Sequence, residues 1–185
     1  QLAVQPDHLL ILAGSTYDFK AKGMDASHHP VLIKEKPSWS VSDESLSINN
    51  NGKLTVGSES TEAKVSASLN GKVGHSAVSV TTELTELTLP QDQITLKRGD
   101  ELQLEAAALW KGKKVHASPD ALSWEVSGGI GTIDENGVFH AVEDSASGSI
   151  TVRHRDLSYT MQVQIGKLPV ILEDFENEGN EKFTL

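Results

Sequence analysis

Three stretches of this chain have the residue types of a chemical site, and each fails on spacing or context. Asp134-Glu135-Asn136-Gly137 superficially resembles a calcium loop. Its glycine comes fourth instead of sixth, however, and no bidentate acid stands at the twelfth position, so the segment reads as turn chemistry. Gly74-His75-Ser76-Ala77-Val78 approaches the Gly-x-Ser-x-Gly elbow that presents a nucleophilic serine, but its last position is valine and a strand follows. Gly128-Gly129-Ile130-Gly131 has the glycines of a phosphate cradle without the helix whose N-terminus would face the anion, so it reads as a loop or bulge. The seven histidines do not converge by spacing. His28 and His29 are adjacent, and adjacent residues of a strand point to opposite faces, poor geometry for joint ligation of a metal. No cysteine is present, which excludes a disulfide, a thiolate metal site and a thiol nucleophile. The reading is therefore of a chain that is not an enzyme, with no catalytic residue, no cofactor and no metal site.

One cluster invites a binding role. Trp110 stands beside Lys111-Gly112-Lys113-Lys114, the only basic cluster in a chain of net charge −10. A tryptophan near a hairpin tip offers a flat apolar face with a polar handle, suited to a sugar ring or a partner protein. Trp110, Lys111 and Lys113 are thus the candidate contact residues, and the bland alternative is that Trp110 covers the edge of its own sheet. The acidic balance argues against nucleic acid, which needs a contiguous basic face. Even the longest apolar runs, such as Leu9-Leu10-Ile11-Leu12-Ala13, are far short of the ~20 residues that cross a bilayer, so no membrane insertion is expected.

The elements that would position these residues are written twice. Gly14 and Gly99, Trp39 and Trp124, Gly52 and Gly137, and Val78 and Val163 each stand 85 residues apart. The offset reads as unbroken by insertion or deletion. A period of that length suits a complete small domain rather than a solenoid unit. Within each copy the apolar residues alternate, as in Tyr17-x-Phe19-x-Ala21 and Leu102-x-Leu104-x-Ala106, the period of a strand with one face buried. About seven short strands per copy, with turn signals between them, predict an all-β fold: two tandem immunoglobulin-like antiparallel β-sandwiches, with a barrel as the alternative. Trp39 and Trp124, each followed two residues on by Val41 and Val126, are expected to be core residues bridging the two sheets. Asn51-Gly52 and Asn136-Gly137 are expected to form tight two-residue hairpins in which both residues take positive φ.

Together these residues resemble the bacterial Ig-like domain, group 2. The resemblance rests on a glycine before the second strand (Gly14, Gly99), Trp-Ser-Val or Trp-Glu-Val in the third, Ile48 to Leu54 and Ile133 to Phe139 around the Asn-Gly turns, and the closing alternations Ser76 to Val80 and Met161 to Ile165. It covers residues 2–167 and departs from the family pattern at Ser42-Asp43-Glu44, Ser127-Gly128-Gly129, Glu62-Ala63-Lys64 and Ser147-Gly148-Ser149. The expected organisation is one sandwich over 1–83, a second over 84–167, and the truncated start of a further β segment over 168–185, where Asp174-Phe175-Glu176 resembles the opening of a jelly-roll carbohydrate-binding module. Between the copies, Thr81 to Leu89 contains neither glycine nor proline, and a stiff join is expected. The resemblance implies a non-catalytic spacer at a bacterial cell surface or in a secreted protein. Its partners would be neighbouring domains of the same chain; the alternative is adhesion to a cell-wall or other polysaccharide, or to a host or surface protein.

Overall fold

A computed structural model describes residues 1–142 and 144–166, so the expected segment over 168–185 lies outside the described residues. The first half runs β1 (Leu2–Gln5), β2 (His8–Leu12), β3 (Thr16–Asp18), β4 (Lys20–Met24), β5 (Pro30–Val31), β6 (Ser38–Val41), β7 (Leu46–Ile48), β8 (Lys53–Val56), β9 (Thr61–Leu69) and β10 (Lys72–Thr81). The second half repeats the series as β11 (Glu86–Thr88), β12 (Gln93–Leu96), β13 (Glu101–Gln103), β14 (Ala107–Trp110), β15 (Lys113–Val115), β16 (Ser123–Ser127), β17 (Gly131–Ile133), β18 (Val138–Ala141), β19 (Ala146–His154) and β20 (Leu157–Ile165), with one 3-10 turn at Pro119–Ala121. The chain is an all-β sandwich fold.

In the first half one sheet has the order β2-β10-β9-β6, and the opposing layer is formed by β1-β4-β5 and β3-β8-β7. The second half has the same orders, β12-β20-β19-β16 against β11-β14-β15 and β13-β18-β17. This is the strand plan of an immunoglobulin-like sandwich. The seven expected strands per half become ten segments for physical reasons. The first strand changes sheets around Pro6, so that β1 pairs with β4 while β2 pairs with β10. The second is interrupted at Phe19, which leaves the ladder between β3 and β4. The sheets are also not wholly antiparallel, since β2 runs parallel to β10 and β12 parallel to β20.

Two hydrophobic clusters fill the fold. One collects residues of the first half, including Val4, Phe19, Leu54, Val65 and Val78; the other collects residues of the second, including Leu104, Phe139, Ile150, Val152 and Ile165, together with Leu12. The largest buried side chains occupy complementary places. Phe19 and Leu54 are 1% and 0% exposed, whereas their repeat equivalents Leu104 and Phe139 are 3% and 0% exposed. Each half therefore holds one phenyl ring and one leucine at this pair of positions, with the ring on opposite members. Volume is conserved while shape is not.

The tryptophans expected in the core are less deeply buried than a core position implies, although the Trp39 ring reaches the opposite layer, 6.5 Å from the Phe19 ring between centroids. Trp39, Val41, Trp124 and Val126 are half-buried against their clusters because β6 and β16 are edge strands, open on one side. Their inward facing holds: Trp39 pairs with Ala67 and Val41 with Val65, both fully buried. Trp124 Nε1 donates to the Pro119 carbonyl at 3.0 Å.

The hairpin expectation is corrected as well. Strands β7 and β8 are joined by four residues, Asn49 to Gly52, and only Gly52 takes positive φ (84°), as only Gly137 does (75°) in the second half. Asn49 and Asp134 shape these turns. Asn49 Oδ1 accepts from the amides of Asn51 and Lys53, and Asp134 Oδ1 from those of Asn136 and Val138, so Asn51 and Asn136 enter these turns through their backbone amides. The glycines are also needed for space, because a Cβ on Gly52 would lie 2.8 Å from the Phe19 carbonyl oxygen and 2.9 Å from Trp39. The tight two-residue turns fall elsewhere, at Asn70-Gly71 (φ 50° and 72°) and Lys111-Gly112 (φ 49° and 76°).

The offset of 85 is broken once. Gly23 and Ala108 are equivalent, yet Gly23 pairs with Val31 and Ala108 with Val115, a separation of 84. Counted between these equivalent pairs, the first hairpin carries one more residue than the second, and the loop before β6 is one residue shorter than the loop before β16, which restores Trp39 and Trp124 to register.

Candidate functional site

The described residues bring polar and aromatic side chains together at the join between the halves. The end of β2 and the segment after β15 meet in a parallel bridge between Ile11 and His116. The Leu12 amide donates to the His116 carbonyl and the His116 amide to the Leu10 carbonyl, both at 2.8 Å. The imidazole extends the contact, with Nε2 donating to the Thr16 carbonyl at 2.9 Å and the ring set edge-on to Tyr17 at a centroid distance of 4.9 Å. A serine pair closes it. The Thr16 amide donates to Ser118 Oγ at 3.0 Å, the Ser118 amide donates to Ser15 Oγ at 3.2 Å, and Ser118 Oγ donates to the Asp120 carboxylate. Ser15 and Ser118 are 0% and 6% exposed, and among the described residues no buried side-chain nitrogen or oxygen lacks a partner. Leu12 completes the join by entering the hydrophobic cluster of the second half.

The connection itself is tied down. Thr81 Oγ1 donates to the Glu83 carbonyl at 3.0 Å and accepts from its amide at 3.1 Å, and His154 Nε2 donates to the Thr82 carbonyl at 3.3 Å. Leu87 and Leu89 are buried immediately afterwards.

Trp110 belongs to the same region. It ends β14, is half-buried against the second cluster, and lines a groove of about 360 Å3 with Leu10, Thr61, Glu62 and Thr81 of the first half. The Lys111 ammonium lies 4.7 Å over its ring, a cation–π contact, and the Lys111 amide donates to Thr85 Oγ1 at 3.1 Å. Lys113, opposite Trp110 in the ladder, is exposed. The structure thus brings Trp110 and Lys111 together and turns the ring towards the first half.

No family model matches the chain, and no curated protein matches it. Solved structures do. Domains 5-6 of the S-layer protein SbsC align over 90% of this chain and 97% of their own at 13% identity and a TM-score of 0.45. Domains 4 and 5 of the same protein align over 90% and 98% at 12% identity and 0.36. The EC1-2 segment of human protocadherin-24 aligns over 91% and 98% at 9% identity and 0.33. The neighbours are S-layer and cadherin-type extracellular domains, and at scores below 0.5 they assign no function to this chain.

The residues of the join other than Trp110 carry no motif and are not legible as a site. One signal was present. The run Leu9 to Ala13 breaks strict alternation, and its equivalent Ile94-Thr95-Leu96-Lys97-Arg98 keeps it. A strand apolar on both sides is a strand covered on both sides.

Away from the join, carboxylates cap turns. Asp134 is held below the ordinary carboxylate value first by the Val138 amide, with burial working against it and the Asn136 amide and His140 adding to the effect. Asp43 is lowered by the Ser45 hydroxyl and amide and the Thr61 hydroxyl, and Asp25 chiefly by the His29 amide. His140 sits 3.2 Å from Glu101 and 3.7 Å from Asp134, but among the described residues no group of three or more His, Asp or Glu could hold a metal ion. Because folded values below the unfolded value of 3.8 give stability that is present above it and lost as pH falls through the folded values, acid should weaken the fold. The expected melting midpoint is level between about pH 7 and 5 and drops below about pH 4. Thermal melts across that range test this, and a midpoint unchanged down to about pH 2.5 would contradict it.

Proposed function

We propose that this chain is a non-catalytic, rigid spacer. It comprises two Ig-like sandwiches of the bacterial group 2 kind, residues 1–83 and 84–167, in an extracellular, cell-surface or secreted bacterial protein. Its role is to hold neighbouring domains of the same polypeptide at a fixed separation and orientation. The observation that carries this reading is the join: two backbone hydrogen bonds, a buried serine pair and a shared leucine connect the halves, where a permissive linker would leave them free. In this reading Trp110 is a wedge between the halves rather than a sugar platform, with Lys111 over its ring and the first half beside it.

The test is an intramolecular distance distribution. The chain has no native cysteine, so Glu59→Cys and Glu135→Cys, both at exposed positions in different halves, give a specific pair of spin labels. A single narrow distribution is expected. Adding His116→Ala and Ser118→Ala removes the imidazole bond and leaves the Thr16 amide without its acceptor, a loss of about 1–3 kcal/mol that should broaden the distribution roughly twofold. A broad distribution in the protein with an intact join would refute the spacer reading.

A further inference from the structure

The register of the sheets places one more pair of residues in correspondence. Val31 pairs with Gly23 as Val115 pairs with Ala108, so the residue that follows each is equivalent too: Leu32 stands in the first half where His116 stands in the second. His116 is the residue through which the second half grips the Leu10–Leu12 edge of the unit ahead of it. Leu32 is 86% exposed and Val31 48%, and with Ile33 they line a groove of about 340 Å3 against Leu2 and Leu69. We infer that Val31-Leu32-Ile33 is the docking face for a further sandwich module placed ahead of residue 1, seated as the second half is seated on the first. Its occupant is an apolar strand edge with the chemistry of Leu10-Ile11-Leu12.

Two observations select that occupant. A second copy of this chain has no such edge to offer. Its Leu10–Leu12 edge is engaged by its own His116, and the equivalent residues of the second half, Thr95 and Lys97, are exposed polar side chains on either side of Leu96. Residues 31–33 are apolar where the internal join is polar, within a rim of Gln1, Lys34, Glu35, Asn70 and Lys72: Leu32 and Ile33 replace His116 and Ala117, so attachment there draws on burial of apolar surface rather than on the imidazole hydrogen bond. The tryptophan wedge is not repeated. Asp25 stands at the place of Trp110 and spends its carboxylate on the amides of Ser27 and His29, which leaves residues 31–33 to carry the contact.

This deepens the spacer reading and rests on it, and the experiment separates the two. Leu32→Cys gives the chain one thiol. Residues 1–85 joined directly ahead of Gln1 place an upstream unit at the native repeat spacing, because Thr85 is followed by Glu86, the equivalent of Gln1. Reaction of the thiol with a disulfide reagent should slow by roughly tenfold or more in the extended chain relative to the original, while a Glu135→Cys control reacts alike in both. With the downstream copy alone isotopically labelled by segmental ligation, the amides of its Leu32 and Ile33 should gain hydrogen-exchange protection in the extended chain. Equal thiol rates together with unchanged exchange would overturn the inference. So would a concentration-dependent dimer of the original chain that Leu32→Asp abolishes, since the face would then belong to a second copy. Either result leaves the label-distance width across the Ile11–His116 join unaffected, so the spacer reading stands or falls separately.

Discussion

Phe139→Ala should destabilise the second half by about 3–5 kcal/mol, most of what a domain of this size possesses. The ring is fully buried in the cluster formed with Leu104, Ile150 and Val163, on β18, the central strand of its three-stranded sheet. Its repeat equivalent is Leu54 and the companion position here is Leu104, so no second phenylalanine belongs to this cluster to fill the space. Chemical denaturation followed by tryptophan fluorescence reports the change, because Trp110 and Trp124 lie in the affected half and Trp39 does not. A loss below about 1 kcal/mol would show that this ring does not organise the second core.

Leu12→Ala tests the coupling between halves. Leu12 is 0% exposed and belongs by sequence to β2 of the first half, yet its side chain packs in the second cluster with Leu87, Leu89 and Leu122. A buried leucine cut to alanine costs about 2–5 kcal/mol. The expected signature is unusual: hydrogen-exchange protection should fall in β11 and β14 of the second half at least as much as in β2, where the substitution sits. Protection lost only within residues 1–81 would mean that Leu12 serves its own half and that the join is superficial.

How much of this was legible in the sequence depends on the range of the interaction concerned. Alternation of Val65, Ala67 and Val78 was readable because burial on one face of a strand leaves a period of two, and the repeat supplied the register twice over. The turns were half legible. Asn-Gly at 51–52 and at 70–71 is the same dipeptide, but the first lies inside a four-residue loop shaped by Asn49 and pressed against Trp39, and only the second is the tight turn that the dipeptide favours in isolation. Trp39 was read correctly for its face and too deeply for its burial, because a residue's pattern reveals which side it faces and not whether its strand is an edge. The join was nearly invisible. Ser15, His116 and Ser118 are ordinary residues about a hundred positions apart, and what makes them a site is the approach of two folded surfaces, which no local pattern encodes. Its one trace is the apolar run at Leu9 to Ala13, which by itself says only that the strand is covered and not by what.

The exchanged places of Phe19 with Leu54 and Leu104 with Phe139 bear on how a duplicated chain avoids misassembly. Tandem copies of one fold invite a strand of either copy to complete the other during synthesis, since their ladders are interchangeable. If β18 took the place of β8, one interior would receive Phe139 beside Phe19 and be overfilled, while the other would receive Leu54 beside Leu104 and be left with a void. Both errors are unfavourable, one through crowding and the other through lost contact. Divergence at this single pair of sites thus acts as an identity tag, by which each sibling rejects the other's strand.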